Sequence, residues 1–321
     1  MTPKQNMFRV IRHDKPGWVP DGYEATCHFA PPIVERTSAE GYDCFQCHWS
    51  LEPGAEGGSF PTHGGHPIKN LHKWREEIRI PDIEKLDWSG VANDNKSVNR
   101  DENMVFGFFE MGLFERSCLL LGMENALIGY MTDPEIMGDM AGAIADYKIK
   151  LIERFDDICK LDIAWYGDDW GTQNALFMPP ETWRRVIKPH TKRIFDACHA
   201  RGMIIDLHSC GRIEEIFGDI IEIGADMWNP CQPCNDLAAL KKKFIGKITF
   251  IGGIDSQFVL TRPDLTTGEV RAEVRKKIDM MASRGGYIAG PSHGVPYRQD
   301  IVDAMHDEIK TYGRAFYRQN V

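Results

Sequence analysis

Three side chains with metal-binding chemistry lie in loops that follow predicted strands. His208 and Cys210 are separated by one residue in one loop, and His293 follows a later strand. Imidazole nitrogen and thiolate sulfur are ligands that Zn²⁺ prefers, and three protein ligands with one open position are typical of catalytic zinc. The sequence therefore predicts a metal site at His208, Cys210 and His293. The alternative is a metal-free loop in which Cys210 packs, while His208 and His293 act as hydrogen-bond donors or general acids.

Two adjacent carboxylates, Asp168 and Asp169, follow the predicted strand that precedes the strand of His208. Neighbouring strand positions face opposite sides of a sheet, so we expect only one of the two to reach the pocket. That carboxylate either holds a histidine through a hydrogen bond or, with a raised pKa, donates a proton. Capping of a helix N-terminus is the alternative role. Both aspartates are candidate catalytic residues.

Short apolar runs and longer amphipathic segments alternate along the chain. They predict strands and helices, and these elements must position the loops that carry the candidate residues. The predicted strands are Met104–Phe109, Ile163–Tyr166, Met203–Leu207, Asp226–Trp228, Ile248–Ile251 and Tyr287–Ala289. The predicted helices are Asp133–Lys160, Pro180–Arg201, Ile213–Ile223, Leu237–Phe244, Thr267–Arg284 and Asp300–Tyr317. Alternation at this spacing implies an α/β fold with a parallel sheet, either open and doubly wound or closed as a (β/α)₈ barrel.

The closed TIM barrel is the fold that we favour. The strands from Ile163 onward form five successive strand–helix units, so the N-terminal half must supply the other three strands. Residues 1–100 show little periodicity, and 36–70 reads mostly as loop because Gly and Pro are frequent there. We expect a single domain over 1–321, in which 1–100 forms an irregular segment that caps the barrel and 101–321 forms the main barrel. Functional groups of such folds gather at the carboxyl ends of the strands.

The composition excludes several classes of protein. The chain has 321 residues, with 38 Lys and Arg against 47 Asp and Glu, so its formal charge is −9. An acidic chain lacks the basic footprint of a general nucleic-acid binder. No apolar stretch is long enough to cross a bilayer, and the first residues lack the apolar region of a secretory signal. Nine cysteines without an export signal indicate thiols or ligands in a reducing compartment, which predicts a cytoplasmic protein.

Two cysteine motifs suggest chemistry that we do not expect in this chain. Cys44, Cys47 and His48 fit the C-x-x-C-H pattern of haem attachment. That attachment normally requires export, and no signal peptide is present. The pairs Cys44/Cys47 and Cys231/Cys234 are too far apart in sequence for a compact Cys₄ zinc module. The role of these four cysteines stays open.

A third motif, Asp206-x-His208-x-x-Gly211, matches the fragment through which some cobalamin domains supply a histidine to cobalt. The S-x-L element of such domains is absent at a suitable distance. The surrounding alternation also continues as a barrel, without a separate flavodoxin-like domain. We therefore do not expect His208 to bind cobalt directly.

Longer stretches of the same loops are similar to a known family. The similar segments are His208-Ser-Cys-Gly-Arg, 222–233, 250–257 and 286–293, with further agreement at 167–173, Phe114-Glu-Arg and 121–125. Together they resemble the uroporphyrinogen decarboxylase superfamily, and its corrinoid-dependent methyltransferase branch more closely. The likeness extends over residues 70–317 and is most specific at 200–295.

The resemblance implies a (β/α)₈ barrel and restricts the activity. Decarboxylases of the superfamily bind a polycarboxylate tetrapyrrole through arginines near the amino terminus. Here Arg9, Arg12 and Arg36 are scattered, and a charge of −9 does not suit such a substrate. Members that methylate a thiol use an H-x-C…C zinc site, but this chain has His293 at the position of the final cysteine. The remaining subgroup takes a methyl group from a substrate, often a methoxylated aromatic, and passes it to cob(I)alamin on a separate small protein.

We therefore expect a methyltransferase that demethylates a phenyl methyl ether or a similar small methoxy compound. The methyl acceptor is cobalamin on a partner corrinoid protein, and zinc at the predicted metal site would stabilise the departing oxygen. Without a metal, an aspartate or a histidine would act as general acid. Zinc-dependent methyl transfer from a methylcorrinoid to a thiol or tetrahydrofolate stays open, and decarboxylation is a weaker alternative. No nucleic-acid or membrane partner is expected, and a homodimer stays open.

Five further side chains are candidate substrate contacts under this interpretation. The amides of Gln173, Asn229 and Gln232 would bond the substrate oxygens, and Trp170 would enclose the ring. Glu115 is either a further ligand or a member of a buried ion pair, and we favour the ion pair.

Overall fold

A parallel sheet that curls on itself is the central element of the computed structural model, which describes residues 1–51, 58–294 and 297–319. The strands, in chain order, are β1 (Thr26–Phe29), β2 (Gly41–Tyr42), β3 (His48–Leu51), β4 (Ser59–Pro61), β5 (Met104–Phe109), β6 (Ile163–Gly167), β7 (Ile204–His208), β8 (Met227–Asn229), β9 (Thr249–Ile254) and β10 (Tyr287–Pro291). The sheet has the order β1-β5-β6-β7-β8-β9-β10, and every pairing in it is parallel. The six predicted strands correspond to β5–β10, and β5 has the predicted bounds.

The two edges of the sheet are joined by residues that precede β1. Asp21 forms a parallel bridge with Ala289 of β10. Gly22 N–H donates to the Ala289 carbonyl at 2.8 Å, and Ala289 N–H donates to the Pro20 carbonyl at 3.0 Å. This bridge, β1 and β5 are the three strand segments that the N-terminal half had to supply. The predicted (β/α)₈ barrel is confirmed.

The helices surround this sheet. They are α1 (Pro3–Ile11), α2 (Trp74–Glu77), α3 (Ser89–Lys96), α4 (Leu113–Leu121), α5 (Met123–Thr132), α6 (Pro134–Cys159), α7 (Pro180–Val186), α8 (Lys188–Ala200), α9 (Phe217–Glu222), α10 (Leu237–Lys243), α11 (Thr267–Met281), α12 (Gln299–Glu308) and α13 (Arg314–Gln319). None of the described helices is both long enough and apolar enough to span a membrane.

The single helix predicted over 180–201 is two helices in the structure. Helix α7 ends at Val186, and α8 begins at Lys188 with Pro189 in its first turn. Proline has no N–H to donate and its ring clashes with the carbonyl four residues earlier, so a continuous helix cannot pass through this point. A π-helical turn, Ile309–Gly313, similarly separates α12 from α13 within the predicted helix 300–317.

Helix α1 closes the amino end of the barrel. Its Met7 and Val10 are fully buried in one cluster with Met104 and Phe106 of β5 and with Ile288 of β10. Val105 lies between Met104 and Phe106 on β5 and belongs to a second apolar cluster, on the outer side of the sheet. Successive side chains of a strand face opposite sides of the sheet, which explains this separation. Apolar packing therefore fills the amino end, and the carboxyl ends of the strands are left for polar groups.

A small antiparallel sheet, β2-β3-β4, covers one side of the barrel in the region predicted mostly as loop. Most described residues of this region are loop, as predicted, but its three strands were not predicted, because strands of two to four residues show no clear alternation. Two buried ion pairs attach this region to the helices. Asp43 binds Arg116 of α4 at 2.6 Å, and Glu35 binds Lys148 of α6.

The C-x-x-C-H motif forms a turn around Asp43. One carboxylate oxygen of Asp43 accepts from the N–H groups of Phe45 and Cys47, both at 2.9 Å. All nine cysteines of the chain are free thiols in the structure. The motif therefore has a structural role in holding the small sheet to α4.

Candidate functional site

Three metal-capable side chains meet at the carboxyl ends of β6 and β7. The ligand atoms of Asp169, His208 and Cys210 all lie within 4.8 Å of one another. His208 Nε2 is 3.4 Å from Cys210 Sγ and 3.6 Å from Asp169 Oδ1. The backbone N–H of Cys210 donates to the same Asp169 oxygen at 2.7 Å. We call these three residues the DHC cluster.

Close backbone contact between two loops fixes the geometry of the DHC cluster. Gly211 has a φ of +81°, and a Cβ on it would lie 2.1 Å from the backbone of Gly171. Arg212 N–H donates to the Thr172 carbonyl at 2.8 Å. Gln232, from the loop after β8, accepts from Gly211 N–H at 2.6 Å. Glycine at 211 thus lets the loops after β6 and β7 touch, and the side-chain oxygen of Gln232, a predicted substrate contact, is engaged with Gly211.

Hydrogen bonds from the barrel interior support His208. Its Nδ1 lies 2.6 Å from Asn229 Oδ1, and Asn229 Nδ2 donates to Asp206 at 2.7 Å. The Tyr23 hydroxyl donates to the other Asp206 oxygen at 2.6 Å. Asn229, predicted to bind substrate, is thus engaged with His208. Asp206 was missed as a functional residue, although its alternation with Ile204 and His208 on β7 was a signal that it faces the interior; no signal indicated Tyr23.

Asp168 and Asp169 have different environments. Asp168 is fully buried and accepts hydrogen bonds from the backbone N–H groups of Phe114 at 3.1 Å and Glu115 at 2.9 Å. These groups belong to the first turn of α4, so Asp168 binds a helix N-terminus, but of a helix that precedes its strand and not of the helix after its loop, which was the predicted alternative. Burial raises the pKa of Asp168 to about 6, even though these bonds favour its charged form. Asp169 is the carboxylate that faces the pocket.

Glu115 is an acid without a described ion-pair partner. Burial, followed by the nearby carboxylates of Asp169, Asp168 and Glu110, holds the pKa of Glu115 well above its usual range. The prediction that Glu115 belongs to an ion pair was wrong, because its neighbour Arg116 forms the buried pair instead. Glu115 therefore holds its proton more tightly than an exposed glutamate does, which makes it a candidate proton donor.

A cavity of 680 Å³ adjoins the DHC cluster between α4, the small sheet and the loop after β6. Its polar groups near the cluster are Glu115 and Asp169. Much of the remaining wall is apolar and includes Trp49, Phe60, Met111, Phe114, Leu119, Met123 and Phe177. Glu115 of α4 and Gly122, the residue that follows the end of α4, both line the cavity and are about 10 Å apart along the helix axis. The cavity has room for a small aromatic molecule against the acid.

Comparison with known proteins places the chain in a family. The family described as uroporphyrinogen decarboxylase (URO-D) matches residues 117–312, which is more than half of the chain. The chain belongs to the URO-D family. The matched region contains α4 from Ser117 onward and the strands that carry Asp169, His208 and Cys210.

A solved structure shares the fold of this chain at low sequence identity. A structure described as a methyltransferase from Methanosarcina mazei aligns with a TM-score of 0.73 at 13% identity, over 97% of this chain and 99% of that chain. At this identity the likeness shows the fold alone. An endo-β-1,4-xylanase from Gloeophyllum trabeum has a TM-score of 0.42 at 7% identity, over 70% of this chain and 81% of that chain, which supports no argument. No curated protein sequence matches the chain significantly.

His293 does not belong to the metal-capable group that the described residues form, although it was predicted as a ligand. Its side chain is exposed, and its backbone N–H donates to Ser256 Oγ at 3.0 Å. It lines a second cavity of 380 Å³ with Gln232 and Ser256. The loop after β10 is thus bound to the turn after β9. Among the described residues, Asp169 takes the third position of the metal-capable group.

Two of the predicted substrate contacts also lie outside the 680 Å³ cavity. Trp170 is buried in the core, where its ring packs edge-on against Trp183 at 5.0 Å. Gln173 is exposed in a turn closed by Thr172 and Ala175. Trp170 and Gln173 follow Asp169 by only one and four residues in the sequence. The loop turns sharply after Asp169, so neither side chain lines the cavity.

The DHC cluster fits a zinc ion. Carboxylate oxygen, imidazole nitrogen and thiolate sulfur are all zinc ligands, and three of them leave one coordination position for water or substrate. Asp168, Asp169 and Glu115 bring three carboxyl groups together with no lysine or arginine partner among the described residues. A divalent cation would offset this charge. Burial raises the pKa of the Cys210 thiol, so metal binding must release its proton.

Proposed function

We propose that this URO-D family protein is a methyltransferase that removes the methyl group of a small methoxylated aromatic compound. The acceptor is cob(I)alamin carried by a separate corrinoid protein. The observation that carries the proposal is that Glu115, an acid with a raised pKa, lines a largely apolar cavity together with Asp169, the member of the DHC cluster that reaches it. The resemblance of the loops to corrinoid-dependent methyltransferases supplies the acceptor.

The cavity suits an aromatic substrate. Its volume of 680 Å³ lies in the range of small-molecule sites, which are mostly apolar with a few well-placed polar groups. Phe114 and Phe177 lie 5.3 Å apart in a tilted arrangement and both line it. An aromatic ring packed there would direct its ether oxygen toward the wall that holds Glu115 and Asp169.

The difficult step is the departure of the oxygen. Co(I) supplies the electron pair of the new Co–C bond, the O–CH₃ bond breaks, and its electron pair stays on the phenolic oxygen. Glu115 donates its proton to that oxygen, so the products are a phenol, a methylated corrinoid and the Glu115 carboxylate. A single donor placed at a developing oxyanion is worth about 2.7–4 kcal/mol.

Asp169, His208 and Cys210 are the residues that would hold a metal. A zinc ion bound there would supply a Lewis acid, which polarises the oxygen and lowers the barrier by several kcal/mol. The hydrogen bond from Cys210 N–H orients the Asp169 carboxylate, and Asn229 orients the His208 ring.

Methyl transfer to a thiol is the second candidate. The observation that favours it is the DHC cluster itself, since zinc with an open position lowers the pKa of a bound thiol as it does that of bound water. Porphyrinogen decarboxylation is disfavoured, because Arg36 is the only arginine among the described residues that line the 680 Å³ cavity.

The test supplies the full chain with a methoxylated aromatic and either free cob(I)alamin or a corrinoid protein encoded beside its gene. We expect the cobalt absorbance to change from the Co(I) form to the methylated form, with release of the phenol. Glu115→Gln should slow this change about 10²–10⁴-fold, because the amide has no acidic proton to give. Methylation of a thiol by a methylcorrinoid, without any demethylation of the ethers, would favour the second candidate instead.

A further inference from the structure

A chain of hydrogen bonds extends from the barrel interior to the DHC cluster. Tyr23 donates to Asp206 at 2.6 Å, Asn229 donates to the other Asp206 oxygen at 2.7 Å, and His208 Nδ1 lies 2.6 Å from Asn229 Oδ1. We infer that Asp206, held by Tyr23, is a positioning residue that acts through Asn229 to fix His208 in one tautomer. In that tautomer Nδ1 carries the proton and the Nε2 lone pair faces Cys210 and Asp169.

The direction of each bond follows from the chemistry of the groups. A carboxylate only accepts, so the Asn229 group that faces Asp206 must be the NH₂ group. The amide oxygen then faces His208 Nδ1, and an oxygen can pair only with a nitrogen that carries a proton. In a neutral imidazole one nitrogen is a donor and the other an acceptor, so Nε2 is left without a proton. Nε2 is the nitrogen that lies 3.4 Å from Cys210 Sγ.

The positions of the three supporting residues explain why they can impose this choice. Asp206 is fully buried, so an unpaired oxygen on it would be costly. Asp206 and His208 are two residues apart on β7, so both side chains face the barrel interior. Asn229 lies opposite His208 on β8. Tyr23 follows Asp21, whose bridge to Ala289 closes the barrel. The closure of the barrel therefore supplies the donor that occupies the second oxygen of Asp206.

This inference gives a function to the motif Asp206-x-His208-x-x-Gly211. Asp206 sets the proton position of His208, and Gly211 allows the contact between loops that places Cys210. No cobalt ligand is needed to account for the spacing. The consequence for metal binding rests on the proposed function, but the tautomer is a property of the protein without metal.

The test is ¹H–¹⁵N spectroscopy of the full chain, labelled at the histidine ring nitrogens and freed of metal with a chelator, at pH 8. We expect the proton of His208 on Nδ1. His199 is an internal reference for the opposite tautomer, because its Nε2 lies 2.9 Å from the Asp226 carboxylate and must donate. A wild-type spectrum that shows His208 protonated on Nε2 would overturn the inference without any variant.

The variant Asp206→Asn tests the cause. An amide at 206 can donate, so the Asn229 amide is free to turn and present its NH₂ group to Nδ1, and the His208 proton should move to Nε2. Tyr23→Phe leaves the Asp206–Asn229 bond in place and should retain the wild-type tautomer. If Asp206→Asn folds and keeps the proton on Nδ1, the inference is wrong.

A measurement of Co²⁺ binding separates this inference from the proposed function. The visible absorption bands of bound Co²⁺ report the binding. We expect Asp206→Asn to weaken Co²⁺ binding about 10- to 100-fold, the usual cost of losing a hydrogen-bond partner behind a metal ligand. If the tautomer changes as expected but the wild type binds no Co²⁺, the positioning role stands and the metal of the proposed function fails. If Co²⁺ binds and neither its affinity nor the tautomer responds to Asp206→Asn, the proposed metal site stands and the positioning role fails.

Discussion

Gly211 lies directly on the backbone of Gly171, so close that a Cβ on Gly211 would be 2.1 Å from the Gly171 carbonyl. This contact joins the loop that carries Cys210 to the loop that carries Asp169. Two effects combine at Gly211, since its φ of +81° also disfavours any other residue. The geometry of the DHC cluster depends on this one position.

Gly211→Ala should therefore destabilise the protein and weaken metal binding. Gly202→Ala is the matched control, because Gly202 has a φ of +82° with nothing within 4 Å of its Cβ position. The control should cost about 1–2 kcal/mol from the backbone conformation alone. Gly211→Ala should cost about 2 kcal/mol more because the loops must separate. Urea denaturation measures both, and equal losses would show that the loop contact is unimportant.

His208 and His293 should differ in metal binding. His208→Ala should reduce zinc affinity by more than the roughly 10- to 100-fold that an outer hydrogen-bond partner is worth. His293→Ala should leave zinc affinity unchanged, because His293 is exposed and lines the second cavity. Zinc per chain after dialysis against a weak chelator is the measurement. An equal loss in the two variants would restore His293 as a ligand.

Glu115 should make stability fall as pH rises. Burial and the neighbouring carboxylates raise the pKa of Glu115 in the folded state above its value in the unfolded chain, so the folded state binds the proton more tightly. The resulting stabilisation is complete below the unfolded pKa of about 4.3 and is lost as pH rises through the folded pKa.

Glu115→Gln mimics the protonated acid and should remove this loss. The metal-free variant should be more stable than wild type by about 1 kcal/mol or more at pH 8, with a smaller difference at pH 5. Unfolding midpoints in urea at the two pH values measure this. A difference that does not change between pH 5 and pH 8 would mean that Glu115 is ionised throughout this range.

The buried pair between Asp43 and Arg116 should contribute far more than an exposed pair. Asp43→Ala leaves the Arg116 charge buried and should cost about 3–5 kcal/mol. Asp139→Ala removes a pair with Arg75 at a similar distance of 2.9 Å, but both side chains are more than half exposed. That variant should cost less than about 1 kcal/mol. Chemical denaturation measures the free energy of unfolding of both variants. Similar losses would show that burial does not decide how much these ion pairs contribute.

The barrel could be predicted from the sequence because its strands have strong signals. Most residues of β5 to β10 are apolar, as expected for parallel strands covered by helices, so these strands appear as short apolar runs that end in polar residues. β1 and the Asp21 bridge escaped prediction. They are short, and their pairing with β5 and β10 is decided by closure of the barrel rather than by local residues.

The candidate site could be predicted only in part, for a similar reason. Topology brings the carboxyl ends of the strands together, which is why His208 and Cys210 lie at the expected edge of the sheet. The direction of a loop side chain depends on contacts such as that of Gly211 with Gly171, which spacing does not reveal. His293 was therefore favoured over Asp169 as the third ligand. Tyr23 lies 183 residues from Asp206, beyond the reach of any local pattern.

Helix α1 blocks the amino end of the barrel with Met7 and Val10, and this has a consequence for the sequence of events in a transfer reaction. Both reactants must reach the carboxyl end from the same side of the molecule. An acceptor the size of a protein, seated there first, would obstruct the path of a small donor. The donor should therefore enter an empty enzyme, and high concentrations of acceptor protein should inhibit turnover competitively against it.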